Sequence, residues 1–510
     1  MKHTFWATLL SMAALGAAPV AVDAADAADR TPYIGVNQPA PKDVDYPGTL
    51  AIHVDATDIA HRILTVNETI PVAGGEPVQL LYPTWIPGHH RPSGPIRQMA
   101  GLVIHGDDGQ RLEWRRDPYN VYAFMVDVPA GVTALKVQFH FLAAQRSAEG
   151  PIRITPEMLD LSWEKISLYP AGYYARRIKT VPSVTLPAGW DYGSALEQAS
   201  RDGDTVTFKP IDYLNLVDSP LYAGAHMRHL DLGVDGAPPV RLHVMGDTPR
   251  DIAVTDAQQA ILKNLVTQMG KLYGAYHFDH YDFLLALSDK LTHKGLEHSR
   301  SSENATAADF FTDWKLARRN DLLSHEFNHS WNGKYRRGLR HATPDFNVPM
   351  GDGLMWVYEG QTQFYGNVVA VRAGLEDQAT GFAKLADVAA RYDRNRPGLA
   401  SWRNVQDTTN DPTIAQRAPR PYRNYQGSED YYAAGQLIWL AVDAKLRGLT
   451  KNQHNLDDFA RAFFGVNPGA WDINTYVADD VYATLNQIAP YDWQAFLRSR
   501  LDGHLNLAEG

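Results

Sequence analysis

The chain contains no cysteine among its 510 residues. That absence excludes disulfides, a thiol nucleophile and every cysteine-based zinc site, so stability must come from the core and from any metal bound through other side chains. A long basic run is also missing. Lys and Arg number 48 against 58 Asp and Glu, for a formal net charge of -10, which leaves no electrostatic footprint for nucleic acid. Beyond the first residues, no apolar stretch reaches membrane-spanning length without charges. What is present, 45% hydrophobic and 21% charged, describes a globular chain long enough for two or three domains with their own cores.

Met1-Lys2-His3 followed by the apolar segment from Phe5 to Ala18 has the charge and length of a signal peptide, too short to span a bilayer. A small-residue cleavage point after Val22-Asp23-Ala24 predicts that residues 1–24 are removed. The mature protein is expected to be soluble and exported, periplasmic or secreted, as suits a bacterial protein without disulfides.

The chemistry is carried by Ser324-His325-Glu326-Phe327-Asn328-His329-Ser330-Trp331-Asn332, which contains H-E-x-x-H. On a helix, His325 and His329 stand one turn apart on one face and supply two metal ligands. Glu326, beside the first histidine, leans toward the same point and can take a proton from water as a general base. Catalytic zinc takes three protein ligands and keeps a fourth position open, so a further ligand is expected downstream. Glu359, in Trp356-Val357-Tyr358-Glu359-Gly360-Gln361-Thr362, is the candidate, because a carboxylate in so aromatic a run is costly to bury unless paired or bound to a cation. Two histidines and a carboxylate suit zinc, one ion per chain, although cobalt and manganese take similar ligands.

In chain order, residues 31–246 read as an antiparallel β-sandwich-like domain. Leu135, Val137, Phe139 and Phe141 alternate with polar residues, and Gly106-Asp107-Asp108-Gly109 marks a hairpin. In its loop Trp85-Ile86-Pro87-Gly88-His89-His90-Arg91, adjacent histidines point different ways, so a surface or structural role outweighs metal binding for the pair. Helical spacing begins after Asp251, with Thr255 or Asp256 as the cap, and a buried strand is predicted at Tyr281 to Ser288. Lys294-Gly295-Leu296-Glu297-His298-Ser299 reads as an edge that can hold an extended peptide, with Glu297 pairing a cation on it, or alternatively as a turn with solvated charges. These features define a catalytic domain over residues 247–375 and a helical domain over 376–510. Phe382, Leu385, Ala386, Ala389 and Tyr392 mark one amphipathic helix, and a second, from Leu437 to Leu446, is expected to close at Gly448. The long connection over residues 395–427 is placed to rim a cleft.

The set His325-Glu326-x-x-His329 with Trp331-Asn332, then Trp356-Val357-x-Glu359-Gly360-x-Thr362, resembles the M61 metallopeptidases, the glycyl aminopeptidase family of the gluzincin group. The resemblance runs from Trp85-Ile86-Pro87-Gly88 through Gly295-Leu296-Glu297-His298 to Leu456-Asp457-Asp458-Phe459. It implies a thermolysin-like catalytic domain, zinc on His325, His329 and Glu359, and Glu326 as base. It places the substrate-binding exopeptidase motif at Gly295, Leu296, Glu297 and His298, with Glu297 on the free α-amino group. Tyr432 is implied as the oxyanion donor, with Tyr431 its rival. The chain departs from the family pattern at Lys294, where a second glycine is common, and at Ala434, where a lysine is often found, and no PDZ-like segment follows. The function this implies is a zinc aminopeptidase acting on peptides with a free N-terminus, with glycine or alanine first. The rivals are an endopeptidase with the same zinc chemistry and a non-catalytic peptide- or cell-wall-binding protein with structural zinc. Oligomeric state is not encoded in any motif.

Overall fold

The period-two stretch Ala134–Leu142 buries Leu135, Val137, Phe139 and Phe141 on one face and pairs antiparallel with Ile63–Pro71 on one side and Met99–Gly106 on the other. It forms part of a nine-stranded sheet that faces a four-stranded sheet built around Pro77–Leu81 and Ala123–Asp127, and their inner faces share one core. The Gly106 to Gly109 turn closes a hairpin onto Arg111–Leu112. The large sheet is not wholly antiparallel: Thr49–Asp55 runs parallel to Lys179–Thr185, a pairing that needs a long crossover and leaves no hairpin signature in the sequence.

This computed structural model describes residues 38–314, 321–394, 403–422 and 426–503. Residues 1–24, expected as a leader, lie outside them. Ala40–Gly510 form one compact unit. Among the described residues no helix is long and apolar enough to cross a membrane.

The second sheet has the order Met227–Asp231, Val240–Gly246, Tyr281–Leu287, Ser301–Thr306, Lys294–Glu297, parallel at its centre and antiparallel at both edges. Every residue of Tyr281–Leu287 is buried, as befits a central strand covered on both faces. The expected boundary at residue 246 falls at the end of a strand that pairs into this sheet. Residues 227–246 belong to this sheet, because Val240–Gly246 pairs in register with Tyr281–Leu287, and the β part ends with Leu221–Gly224.

Helix Asp256–Tyr273 crosses between the two central strands and starts at a capping box of Thr255 and Gln258. The expected division at residues 375/376 is not a boundary between cores. One hydrophobic cluster runs from Leu230 through Phe327, Trp356 and Trp439 to Leu501, so the C-terminal helices complete the core that covers this sheet. Helix Asp430–Thr450 continues through Gly448 and ends at Lys451 in the left-handed conformation. In helix Gln378–Arg394 the stripe predicted to be buried is largely exposed, Phe382 at 64%, and Gly381 and Val388 face inward instead.

Candidate active site

Helix Leu322–Asn328 lays Leu323 and Phe327 against the second sheet, where the Phe327 ring sits 4.5 Å from Tyr281 and 4.9 Å from Phe283 between centroids. Packing that face turns His325 and His329 to the opposite side. Their Nε2 atoms lie 3.1 Å apart, and Glu359 Oε2 lies 3.4 Å from the first and 3.3 Å from the second. Zinc bonds of about 2.0–2.1 Å in a tetrahedron put ligand atoms about 3.3 Å apart, so the three donors fit one such ion. Glu359 Oε2 is buried and accepts no well-formed hydrogen bond, the state of an oxygen kept for a cation.

Two of the three donors, His329 and Glu359, are held from behind. His329 Nδ1–H donates to the Asn332 carbonyl at 2.9 Å, leaving Nε2 as the coordinating nitrogen. The Asn332 side-chain amide donates to the Val357 carbonyl at 2.8 Å and lies 3.2 Å from the Thr362 hydroxyl, which ties the histidine motif to the segment carrying Glu359. Glu359 sits at the junction of Met355–Tyr358 and Gly360–Ala373.

The field at the cluster favours a cation. Burial pulls the His329 imidazole down, but the Glu359 and Glu297 carboxylates outweigh it and raise the group to about 10. Burial likewise opposes ionisation of Glu359, yet His329, His325 and His90 hold it well below the usual carboxylate range. Burial raises the Glu326 carboxyl to about 7 despite the two imidazoles nearby.

A cleft of about 1290 Å³ opens beside the cluster, lined by Gly295, Leu296, His325, Glu326, Arg417 and Tyr432. Asp411 and residues 415–420 of the long connection contribute to its rim, while 395–402 and 423–425 lie outside the described residues. Lys294–Glu297 is an edge strand that, among the described residues, pairs only with Ser301–Thr306. Gly295 lies directly over Glu326: a Cβ there would stand 2.1 Å from Oε1. Glu297 is buried. Its Oε1 accepts the Tyr358 hydroxyl, its Oε2 has no hydrogen bond among the described residues, and it lies within 4.8 Å of ligand atoms of Glu326 and His329.

His298, expected to touch substrate, is placed away from the residues that line the cleft. It is buried and both its ring nitrogens are engaged, at 3.1 Å from Asp218 and 3.1 Å from Glu303, so it faces an internal ion network. Lys294 also turns inward, to Glu303 and Asp160, and Ala434 is buried. The two tyrosines separate: Tyr432 lines the cleft with its ring 6.3 Å from that of His325, whereas Tyr431 is buried beside Met355 and Tyr358. Burial raises the Tyr432 phenol well above its ordinary value, so it stays a donor.

His90 escapes sequence reasoning. It is fully buried and its Nε2–H donates to Glu359 Oε1 at 2.6 Å, across 269 residues of chain. Its backbone is left-handed, at φ 55°, which turns it away from His89; His89 lines the cleft and bonds Ser93 at 2.5 Å. Gly88 covers the carboxylate of Glu297, where a Cβ would come within 2.8 Å of Oε2. The Trp-Ile-Pro-Gly-His-His loop was the available signal, but nothing local marks which histidine turns inward.

A family model described as the peptidase M61 N-terminal domain matches residues 51–225, and one described as M61 glycyl aminopeptidase matches residues 318–438. No curated protein matches the sequence. Among solved structures, the aminopeptidase N family protein from Idiomarina loihiensis aligns with a TM-score of 0.71 at 19% identity, covering 90% of this chain and 78% of that one. The M1 zinc metallopeptidase from Deinococcus radiodurans aligns with a TM-score of 0.52 at 15% identity, covering 91% and 94%. At such identities these likenesses concern the fold, a mixed α/β arrangement with a β-rich N-terminal part and a helical C-terminal part. The two family matches together span more than half of the sequence, and the chain belongs to the M61 peptidase family.

Proposed function

We propose that this peptidase is a zinc-dependent aminopeptidase with a thermolysin-like catalytic centre, removing small N-terminal residues, glycine or alanine, from peptides. The observation that carries the reading is the convergence of His325, His329 and Glu359 at 3.1–3.4 Å beside a buried Glu326 in a cleft.

His325, His329 and Glu359 would hold one zinc ion per chain. Bound there, zinc supplies Lewis acidity that polarises the scissile carbonyl and favours ionisation of water. Glu326, raised to about 7 by burial, accepts the proton of the attacking water and returns it to the leaving amine. The Tyr432 hydroxyl donates to the developing oxyanion. The edge strand Lys294–Glu297 offers backbone groups to an extended peptide, with Gly295 and Leu296 on the cleft wall. Glu297, with Oε1 held by Tyr358, receives the α-ammonium on Oε2, which sets the register of cleavage.

The cleft's volume favours a second reading, an endopeptidase on the same chemistry, because about 1290 Å³ exceeds what one small residue fills. One experiment separates them. Glycyl- and alanyl-chromogenic amides, and the same peptides N-acetylated, are offered to the chain with and without a chelator and beside Glu326→Gln. The expected outcome is hydrolysis of free-amine substrates only, lost on chelation, and reduced by about 10²–10⁴-fold in Glu326→Gln with zinc still bound. Cleavage of acetylated peptides moves the assignment to the endopeptidase, and full retention of biological effect by Glu326→Gln moves it to a binding protein.

A further inference from the structure

We infer that His90 is a positioning residue of the metal centre: by holding Oε1 of Glu359 it couples metal occupancy to the seating of the N-terminal loop that carries it. The inference rests on reading His325, His329 and Glu359 as metal ligands.

A carboxylate ligand has two equivalent oxygens and a torsion about its last carbon–carbon bond. Unrestrained, it can swing away or offer both oxygens at once. Here Oε1 already accepts the His90 N–H at 2.6 Å, so the other oxygen is the one left beside the two imidazoles. The carboxylate can only accept, so the proton of that bond sits on His90 Nε2.

The ring that makes this bond is itself fixed. Its centroid lies 5.4 Å from Tyr358, 5.8 Å from His341 and 6.4 Å from Tyr431, edge-on to both tyrosines. His341 is in turn anchored, its Nδ1 2.9 Å from Asp352 Oδ1. Tyr358 donates to Glu297 while packing against His90, so one loop residue touches the groups behind both the proposed ligand and the proposed amine anchor. His90 adopts φ 55°, a conformation a histidine rarely takes, and its ring is enclosed there by Glu359, Tyr358, His341 and Tyr431. A glycine at position 88, φ 92°, lets the loop pass over Glu297 at that point.

Two consequences follow from linkage. Removing the bond leaves Glu359 free to reorient and weakens metal binding, and removing the metal frees Glu359 and loosens the hold on the loop. The test uses the full chain as wild type, His90→Gln, which keeps an N–H donor at similar reach, and His90→Leu, which fills the space without one. Zinc affinity is measured by competition with a chromogenic chelator, and the zinc-induced rise in Tm is read separately from the metal-free Tm. His90→Leu is expected to bind zinc about 10–100-fold more weakly, with His90→Gln within a few-fold of wild type. Equal affinity in all three, or an equal loss in both variants, overturns the inference.

If His90→Leu does not fold, hydrogen exchange on the wild type decides. Amides of residues 85–92 are expected to exchange more slowly with zinc than without, and unchanged exchange overturns the coupling. Failure of the wild type to bind zinc overturns the metal reading itself. Tight zinc binding indifferent to His90 overturns this inference alone.

Discussion

Tyr431 and Tyr432 are neighbours in sequence with different environments, and the difference is a matter of helix phase. One step of about 100° along Asp430–Thr450 carries the side chain from a buried cluster with Met355 and Tyr358 to the cleft wall beside His325. The proposed mechanism therefore gives the oxyanion role to the second, which lines the cleft with its ring 6.3 Å from that of His325. Tyr432→Phe is expected to lower kcat by about 10²–10³-fold with little change in KM or zinc content, because the lost hydroxyl acts on charge that exists only in the transition state. Tyr431→Phe is expected to leave kcat nearly unaltered. Steady-state kinetics on a glycyl amide for the pair checks both. The sequence left the two open, since a tyrosine pair on a helix carries no mark of which face meets the cleft. For His325 and His329 the spacing was enough, because residues four apart on any helix share a face.

The edge strand Lys294–Glu297 shows what one element contributes and how much of it a sequence discloses. Among the described residues it pairs with Ser301–Thr306 alone, and in the sequence an edge able to hold a peptide was legible as one of two readings, beside a turn with solvated charges. The close approach of Gly295 to Glu326 was not, since it depends on how helix Leu322–Asn328 crosses the sheet. Gly295→Ala places a methyl group 2.1 Å from Glu326 Oε1, so the carboxylate must move. Activity is expected to fall by about 10²-fold, as for a displaced catalytic group. The same methyl stands 2.9 Å from Leu322 Cδ1, so a modest fall in Tm is expected beside the larger loss of rate, and a melting curve measured with the rate tests the separation. Helix Gln378–Arg394 teaches the converse. Its apolar spacing identified a helix correctly and its buried face wrongly, because the neighbours that decide burial lie elsewhere in the chain.

At the scale of the molecule, Asp218 fastens the β part to the catalytic part. It lies 2.7 Å from Lys334 Nζ, accepts the Ser299 backbone N–H at 2.8 Å, and lies 3.1 Å from His298. Burial opposes its charge, yet Lys334 and His298 hold its carboxyl far below the ordinary range. Burial pulls His298 down, but its bonds to Asp218 and Glu303 raise it above its ordinary value. The signs set a window. The depressed Asp218 contributes stability that is present above its unfolded value of about 3.9 and is lost as pH falls below it. The raised His298 contributes stability that is complete below about 6.5 and is lost as pH rises through its folded value. The contribution of this latch to Tm is therefore expected to be greatest between about pH 4 and pH 6.5. Asp218→Asn, which strands a buried lysine, is expected to cost roughly 3–5 kcal/mol and to flatten the acid side of the Tm profile. An unaltered profile in differential scanning calorimetry would remove Asp218 from this role.

By itself, the sequence determined the family, the β-rich beginning and the helical end, and it named His325, His329, Glu359 and Glu326 as the candidates that the proposed function uses. All of these rest on local spacing, whether four residues on a helix or two on a strand, or on motifs that survive as short strings. Only the tertiary structure decided that residues 227–246 open the second sheet, that the C-terminal helices share the catalytic core, that His298 turns inward, and that His90 holds Glu359. Those outcomes depend on strand pairing and on contacts between segments up to 269 residues apart, whose energies are settled by packing partners that no local pattern names.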